Sequence, residues 1–282
     1  SDQTTTLVEV KPLPQKPNII GNSPVCEGTD IIFSTDVVSG AVYSWTNAAG
    51  TELSTTNELI LSNVSTTDEG NYSLVVSVDG CASEETDAQA VVKLNPILPI
   101  IIANTSICEG ENVQLEVTNI QAGAQYTWRH PDGLQSQTGS IWTINNASIN
   151  DAGTYEVIAI IDGCSSEKAT ATINVKANPV VDFVSDNTPL CDGGDLILST
   201  GGTAGATFNW YFSNVQVGTG TTLTINDAGL ANSGIYEVKA SWNGCESEVK
   251  QINSIITPNP ATPIILISSP ICEGEQAVFS TA

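Results

Sequence analysis

Seven cysteines are the residues of this sequence whose type and spacing best suit covalent chemistry. They are Cys26, Cys81, Cys108, Cys164, Cys191, Cys245 and Cys272. Every second cysteine counted from Cys26, and again every second one counted from Cys81, recurs at a nearly constant interval. An interval of roughly 80 residues that is kept along a whole chain predicts tandem repeats. Paired cysteines in such repeats indicate disulfides formed in an oxidising compartment.

The other reactive side chains do not form a pattern that supports catalysis. The single histidine, His130, lies in Arg129-His130-Pro131-Asp132-Gly133, a string that is typical of a turn. A nucleophilic triad needs a base and zinc needs closely spaced cysteines and histidines, and neither pattern is present. Acidic pairs such as Asp68-Glu69 recur with the repeat, which favours a structural role. The sequence therefore predicts no enzyme, no cofactor and no metal site, with calcium at the junctions between repeats as the open alternative.

The charge balance excludes two classes of partner. The chain has 282 residues with 31 acidic and 8 basic side chains, a formal net charge of -23. Such a charge repels nucleic acid and anionic lipid headgroups. The longest apolar stretch, Pro96 to Ala103, is interrupted by Pro99 and is shorter than the ~20 residues that a membrane-spanning helix needs. We expect no nucleic-acid partner and no membrane insertion within this chain.

Each repeat has the same internal landmarks. It opens on Cys-Glu-Gly or Cys-Asp-Gly, and about twenty residues later comes a tryptophan. A corner of the type Asp-x-Gly-x-Tyr, or its Asn variant, follows, and nine residues after the tyrosine stands a cysteine preceded by Asp-Gly or Asn-Gly. The tryptophans and tyrosines are Trp45, Trp128, Trp210, Tyr72, Tyr155 and Tyr236. Alternating apolar runs between these landmarks predict β-strands, and Asp-Gly and Asn-Gly predict tight hairpins.

The period divides the chain into five parts. Three complete repeats, called repeat 1, repeat 2 and repeat 3 below, are predicted over residues 14–95, 96–178 and 179–260. We expect residues 1–13 to be the last strand of a preceding repeat, and residues 261–282 to be the first strands of a following one. The linkers are short and contain proline, which makes them stiffer than Gly/Ser-rich linkers. We therefore predict an elongated rod.

The landmarks resemble those of the immunoglobulin superfamily. The corner tyrosine and the tryptophan of the third strand match that family over nearly the whole chain, which implies an all-β fold of tandem immunoglobulin-like β-sandwich domains. One departure is that Leu74, Val157 and Val238 stand where antibody-type domains have a cysteine of the core disulfide. The Cys-Glu-Gly opening combined with Asp-Gly-Cys resembles repeats of very large surface proteins of Bacteroidota. That resemblance implies export by the type IX pathway and a role in adhesion or in surface fibres.

The topology implied by this resemblance favours one pairing of the cysteines. The corner tyrosine begins a strand at one end of the sandwich, and the cysteine nine residues later lies about 30 Å away at the other end. The first cysteine of the repeat lies at the tyrosine's end, whereas a disulfide needs Cα atoms about 4.4–6.8 Å apart. Tandem sandwiches place this end of one repeat against the opposite end of the next, so we predict bonds between repeats, Cys26–Cys164 and Cys108–Cys245. The cysteines expected to pair outside the chain are Cys81, Cys191 and Cys272. Pairing within a repeat and free thiols remain the alternatives.

These features together predict a non-catalytic stalk or fibre segment of a long extracellular adhesin at the cell surface, stiffened by disulfides. The expected partners are the neighbouring repeats of the same chain, together with other copies in a fibre or a surface glycan or protein. Two alternatives stay open. In one, loops or an exposed sheet face bind a glycan or protein, with Trp242 as a candidate contact. In the other, the repeats are a spacer within a larger secreted enzyme.

Overall fold

A computed structural model describes residues 9–134, 136–267 and 270–281 of the chain. Residues 1–8 of the predicted strand over residues 1–13, and positions 268, 269 and 282 of the predicted following repeat, lie outside the described residues. The described residues form β-strands, tight turns and three short 3-10 helices, and they include no α-helix. Nowhere in that part of the chain is a helix long and apolar enough to cross a membrane.

The strands follow the period of the sequence. The strands of repeat 1 are β1 (Ile20–Gly21), β2 (Val25–Cys26), β3 (Ile31–Ser34), β4 (Ala41–Asn47), β5 (Glu52–Ser54), β6 (Glu58–Leu61), β7 (Gly70–Val78), β8 (Cys81–Ala82), β9 (Thr86–Ala90) and β10 (Val92–Lys93). The strands of repeat 2 are β11 (Ile101–Ala103), β12 (Ser106–Cys108), β13 (Val113–Val117), β14 (Gln125–Arg129), β15 (Ser136–Thr138), β16 (Ile141–Ile144), β17 (Gly153–Ile161), β18 (Cys164–Ser165) and β19 (Ala169–Lys176).

The later part of the chain continues in the same way. The strands of repeat 3 are β20 (Val181–Asp186), β21 (Leu190–Cys191), β22 (Gly194–Gly202), β23 (Thr207–Phe212), β24 (Val215–Thr219), β25 (Thr222–Ala228), β26 (Gly234–Trp242), β27 (Cys245–Glu246), β28 (Lys250–Ser254) and β29 (Ile256–Thr257). Two more, β30 (Ile265–Ile267) and β31 (Phe279–Thr281), pair as an antiparallel hairpin. The 3-10 helices are Thr66–Asp68, Ile149–Asp151 and Leu230–Asn232.

The described residues fall into two compact units. The first unit contains the described residues of Ser1–Thr105, Asn112–Asn145 and Asp151–Ile173, and the second contains those of Ser106–Glu111, Asn146–Asn150 and Asn174–Ala282. The first unit therefore holds repeat 1 with most of repeat 2, and the second holds repeat 3 with the short segments of repeat 2 around Cys108.

In the first unit, repeat 1 has two sheets with a shared apolar core. One sheet has the order β1-β3-β6, and the other has the order β5-β4-β7-β8, with β9 also paired to β7. Alternate residues of β3, β4 and β7 are buried, as the period-2 pattern predicts for strands with one solvated face. Phe33 from one sheet and Trp45 from the other lie with ring centroids 6.3 Å apart. The predicted β-sandwich is confirmed.

Repeat 2 places an equivalent set of strands in the first unit. β13 pairs with β11 and β16, and β14 pairs with β15 and β17. Leu115, Trp128 and Val157 are fully buried. Val157 occupies the position of the core cysteine in antibody-type domains, so apolar packing alone fills the place where those domains have sulfur.

In the second unit, repeat 3 repeats this architecture. One sheet has the order β20-β22-β25, and the other has the order β24-β23-β26-β27, with β28 also paired to β26. Trp210, Leu198 and Val238 are fully buried at the centre. The described part of the chain is therefore all-β with tandem sandwich domains, as the sequence predicts.

The corner tyrosines fix one end of each sandwich. The hydroxyls of Tyr72, Tyr155 and Tyr236 donate to the carbonyl oxygens of Asp68, Asp151 and Asn232 at 3.0, 2.9 and 3.0 Å. Each acceptor is the last residue of a 3-10 helix, so the hydroxyl ties that helix to the strand that follows it.

Candidate functional site

The first disulfide joins repeat 1 to repeat 2 inside the first unit. Cys26 and Cys164 are bonded, with their Cα atoms 5.6 Å apart and a sequence separation of 138. Cys164 is buried, whereas Cys26 is half-buried. The bond thus joins the two repeats that the short linker from β10 to β11 connects.

The second disulfide has the same construction inside the second unit. Cys108 and Cys245 are bonded, with Cα atoms 5.7 Å apart and a sequence separation of 137. Again the later cysteine is buried and the earlier one is half-buried. The structure therefore brings together the two pairs that the sequence analysis joined, and it places no two cysteines of one repeat side by side among the described residues. The two bonds with the residues around them are called the junctions below.

Parallel strand pairing positions the earlier cysteine of each junction. β2 pairs in parallel with β10, so that Cys26 stands in register with Lys93. The Glu27 amide extends this pairing, donating to the Lys93 carbonyl oxygen at 2.9 Å. In the second unit β12 pairs in parallel with β19, and Cys108 stands in register with Lys176. The cysteine thus lies beside the last strand of its own repeat, next to the linker.

A tight hairpin positions the later cysteine. Asp162 and Gly163 connect β17 to β18 with φ values of 49° and 85°, a left-handed pair that glycine adopts without strain and Asp or Asn tolerates. Ile161 pairs with Cys164, so the cysteine is the first residue after the turn. Asn243-Gly244 does the same before Cys245, with φ values of 51° and 85°.

At each junction a lysine donates to the turn that precedes the later cysteine. Lys93 Nζ donates to the Asp162 carbonyl oxygen at 3.0 Å, within the first unit. Lys176 Nζ donates to the Asn243 carbonyl oxygen at 3.0 Å, within the second. Because each lysine stands in register with the earlier cysteine and reaches the turn before the later one, the hydrogen bond runs alongside the disulfide.

A third lysine contacts the equivalent hairpin at the start of the described chain, through a carboxylate instead of a backbone carbonyl. Lys11 lies one period before Lys93, and its Nζ is 3.1 Å from a carboxylate oxygen of Asp79, in the hairpin before Cys81. Sequence reasoning missed these lysines. The signal that could have found them was their spacing, because three of only eight basic residues stand at equivalent positions.

An asparagine holds each linker to the Cys-Glu-Gly turn. The side-chain amide of Asn95 donates to the Glu27 carbonyl oxygen at 3.0 Å, and Asn178 donates to Glu109 at 2.8 Å. Asn259 makes the equivalent bond to Asp192 at 2.8 Å, although Thr257 there replaces the lysine. The linkers are thus fixed by side-chain hydrogen bonds as well as by proline.

A polar cleft of about 700 Å³ lies beside the second disulfide, within the second unit. The glutamates among its lining residues are Glu109, Glu111, Glu246 and Glu248. Glu111 is engaged, since its carboxylate accepts from the Cys108 amide at 2.8 Å. Across the described ranges, no group of three or more His, Cys, Asp or Glu side chains is arranged to hold a metal ion.

Three cysteines carry no disulfide in the described chain. They are Cys81, which is half-buried, and the exposed Cys191 and Cys272. Cys81 follows the hairpin that Lys11 contacts, and Cys191 stands in register with Thr257 on a parallel strand pair. Cys81 and Cys191 thus have the strand setting of a bonded cysteine, and the pairing of all three outside the chain stays a prediction.

The tryptophans and tyrosines of the landmarks are buried in the sandwiches. The indole nitrogens of Trp45, Trp128 and Trp210 donate to backbone carbonyl oxygens at 3.0, 2.8 and 3.0 Å. Burial raises the pKa of the Tyr155 phenol to about 12, and the carboxylates of Asp151 and Asp132 add to that rise. Burial also raises the pKa values of Tyr72 and Tyr236. Their neutral forms are therefore the ones that the fold accommodates.

His130 is buried although the sequence places it in a turn. Its Nδ1 is 3.0 Å from an Asp132 carboxylate oxygen, and its ring meets the Tyr155 ring edge-on with centroids 5.1 Å apart. Its Nε2 lies 3.7 Å from an Asp151 carboxylate oxygen and makes no hydrogen bond within the described residues. The Trp142 ring packs against it, with centroids 6.1 Å apart. No nucleophile lies among these contacts, so the histidine serves packing.

Residues 96–179 match the family model described as "Ig-like domain CHU_C associated". The matched span agrees to within one residue with the predicted limits of repeat 2. No curated protein sequence matches the chain.

Several solved structures of tandem Ig domains are similar to this chain. Extracellular domains 3–5 of Drosophila OTK are 14% identical, with 87% of this chain and 96% of that chain covered and a TM-score of 0.38. The three N-terminal domains of the highly immunogenic outer capsid protein of bacteriophage RB49 are 15% identical, with 88% and 99% covered and a TM-score of 0.40. The N-terminal eight Ig domains of DSCAM are 14% identical, with 89% and 38% covered and a TM-score of 0.45. Likeness at this level carries no information about ligands.

Proposed function

We propose that this chain is a non-catalytic, load-bearing segment of a long extracellular surface protein, in which the Ig-like repeats form a stalk or fibre. One observation carries the proposal: both disulfides join neighbouring repeats instead of closing a single repeat. A bond inside a sandwich stabilises that sandwich, whereas a bond across a linker restricts how two sandwiches move. The sulfur is therefore placed where it stiffens an array.

The setting of the junctions supports the same proposal. Disulfides persist in oxidising compartments, which favours an extracellular location. The net charge of -23 keeps such a segment soluble and self-repelling. The resemblance to Bacteroidota surface repeats extends the proposal to type IX export and adhesion, with Cys81, Cys191 and Cys272 bonded to further repeats of the same protein. The proposal needs no cofactor.

Small-angle scattering tests the stiffness. The reference protein is a C81S/C191S/C272S variant, which keeps only the two junction disulfides and cannot form bonds between molecules. Adding C26S/C164S and C108S/C245S should broaden the distribution of interatomic distances, because both junctions then lose their covalent tie. Identical distributions with and without the two bonds would contradict a stiffening role.

An exposed tryptophan supports a second candidate, a glycan-binding module. Trp242 is 40% exposed, and its ring lies over Gly205, where any Cβ would come within 2.9 Å of it. A flat, partly exposed indole backed by glycine is a surface on which a sugar ring can stack. Glycan-array binding that W242A abolishes and W242F, which keeps an aromatic ring, retains would favour this candidate; absence of binding would favour the stalk. A spacer in a larger secreted enzyme is the third, and the sequence of the complete protein decides it.

A further inference from the structure

The two disulfides interleave along the chain. Cys108, which belongs to the second bond, lies between Cys26 and Cys164, which form the first. Neither bond is nested inside the other, and neither follows the other. Three separate loops would result from pairing within the three repeats, whereas interleaved bonds produce a connected network.

That network offers three covalent routes between the two bonds. One route follows residues 26–108, the second follows residues 108–164 in reverse, and the third follows residues 164–245. The second route is the shortest, and the other two are nearly equal in length. Every residue from 27 to 244, apart from the bonded cysteines themselves, lies on one of the three.

We propose that this interleaving makes the segment a redundant covalent ladder, which stays in one piece when its backbone is cut and cannot be pulled out to its full length. A cut on any one route leaves the other two intact, so three cuts, one on each route, are needed to separate the ends. The proposal deepens the load-bearing function and rests on it for its purpose, since a surface stalk meets both proteases and tension.

The linkers show what the observed pairing adds. Leu94 and Ile97, in the linker between repeats 1 and 2, are 65% and 61% exposed. Exposed segments without regular structure are where proteases cut. Bonds within each repeat would leave such a linker as the only connection between two sandwiches. The Cys26–Cys164 bond bypasses it.

The ladder also limits extension. In the reduced chain, the path from Cys26 to Cys245 runs through every residue between them. In the oxidised chain, the shortest path crosses both disulfides and uses only the segment from Cys108 to Cys164. At ~3.5 Å for each extended residue, these two paths correspond to about 770 Å and about 200 Å. The oxidised segment therefore reaches roughly a quarter of the length of the reduced one, even when every sandwich is unfolded.

Site-specific cleavage tests the ladder. In the C81S/C191S/C272S background, one variant carries a protease recognition sequence between Ile97 and Leu98, in the linker, and another carries it between Gly133 and Leu134, in an exposed loop. After cleavage and denaturation, both should run as one species without reductant and as two fragments with it. Fragments that separate without reductant would overturn the proposal.

A matched variant shows which bond protects which segment. When C26S/C164S is added, the protein cut in the linker should separate, because only the Cys26–Cys164 bond held its two fragments together. The protein cut at Gly133–Leu134 should stay joined through Cys108–Cys245. If both cut proteins behave alike, the bonds are not interleaved.

Single-molecule pulling measures the extension limit without any insertion. With handles at the two ends of the chain, the backbone between Cys26 and Cys245 of the oxidised protein should stop extending at about 200 Å. That limit should rise to about 290 Å in C26S/C164S and about 280 Å in C108S/C245S, because one route of intermediate length then carries the load. Reduction should raise it to about 770 Å, about fourfold further.

Two outcomes of the pulling experiment decide the matter. Extension of the oxidised protein past its limit before covalent rupture would overturn the ladder. An extension limit equal to the length of the shortest route, which rises to the intermediate values in C26S/C164S and C108S/C245S, would support it. These measurements report covalent connectivity in the purified chain. A scattering result that contradicts the stiffening role would therefore leave them unchanged.

Discussion

At the centre of repeat 1, Phe33, Trp45 and Leu74 are buried and no sulfur lies among them, whereas the junction that follows has Cys26 half-buried beside a half-buried lysine. The centre buries apolar surface, and each Å² removed from water contributes roughly 25 cal/mol. At the junction a covalent bond and a few hydrogen bonds join the two repeats. The comparison teaches that this chain places its disulfides between sandwiches and leaves the centre of the sandwich to apolar packing.

Removing one junction disulfide should have the largest effect and tests whether the cores are independent of the junctions. Replacing Cys26 and Cys164 by serine in the C81S/C191S/C272S background opens a loop with a sequence separation of 138, which the chain-entropy model values at up to about 5 kcal/mol. The midpoint of guanidinium unfolding should fall accordingly. The near-ultraviolet circular dichroism of the aromatic side chains should stay unchanged, because Trp45 and Trp210 lie in apolar clusters that contain no cysteine. Loss of that signal would show that the cores depend on the junctions.

Truncating a core tryptophan tests the other half of the comparison. Trp128 is fully buried, and its indole nitrogen donates to the Gly139 carbonyl oxygen at 2.8 Å. W128A should lower the free energy of unfolding by about 3–5 kcal/mol, since large-to-small changes in a packed core leave a cavity. W242A, at a position that is 40% exposed, is the matched control and should change it by less than about 1 kcal/mol. Equal effects of the two variants would mean that the core does not hold the sandwich.

Much of this comparison was available from the sequence. The period of the cysteines and the nine residues from Tyr155 to Cys164, together with the topology that the immunoglobulin resemblance implies, favoured the pairing that the structure shows. The turns were predictable too, because Asp-Gly and Asn-Gly are the residues that tolerate the positive φ values found at Asp162 and Gly163. Local sequence determined these features, and the repeat supplied three independent examples of each.

Other features depend on neighbours that the sequence does not reveal. The predicted turn at His130 is present, since the Gly133 amide donates to the His130 carbonyl oxygen at 2.9 Å, but the sequence did not show that Trp142 and Tyr155 pack against the ring and bury it. Equivalent positions hold Asn47 and Phe212, so the repeat gave no warning of a histidine inside. Lys93 was missed because its role depends on a turn far away in the chain. Contacts across a junction are set by the placement of two repeats, which no local pattern encodes.

Alkaline pH should weaken the cores before it weakens the junctions. The folded pKa of Tyr155 is about 12, above its ordinary value of 10.0, so the fold favours the neutral phenol. That contribution is fully present below pH 10 and is lost as pH rises through about 12. Urea unfolding midpoints measured shortly after transfer should fall over this range. Y155F should reduce the slope, while C26S/C164S should leave it unchanged. A slope that depends on the disulfide would place the titrating groups at the junction.

The lysines at the junctions should have the smallest effect and the most specific one. K93M removes the hydrogen bond from Nζ to the Asp162 carbonyl oxygen, worth about 0.5–1.5 kcal/mol, and keeps most of the side-chain volume. Because that bond runs beside Cys26–Cys164, it should favour the oxidised state, and K93M should make this disulfide easier to reduce in a dithiothreitol titration. K176M should do the same for Cys108–Cys245.

K168M is the matched control, since Lys168 forms an exposed ion pair with Glu156 away from the junction, a kind of pair that contributes little. It should leave both reduction midpoints unchanged. If K93M and K168M behave alike, sulfur alone sets the geometry of the junction. If only K93M acts, and only on its own disulfide, the lysine helps to align the two cysteines, and the equivalent contact of Lys11 with the hairpin before Cys81 becomes evidence that this thiol is also prepared for a bond.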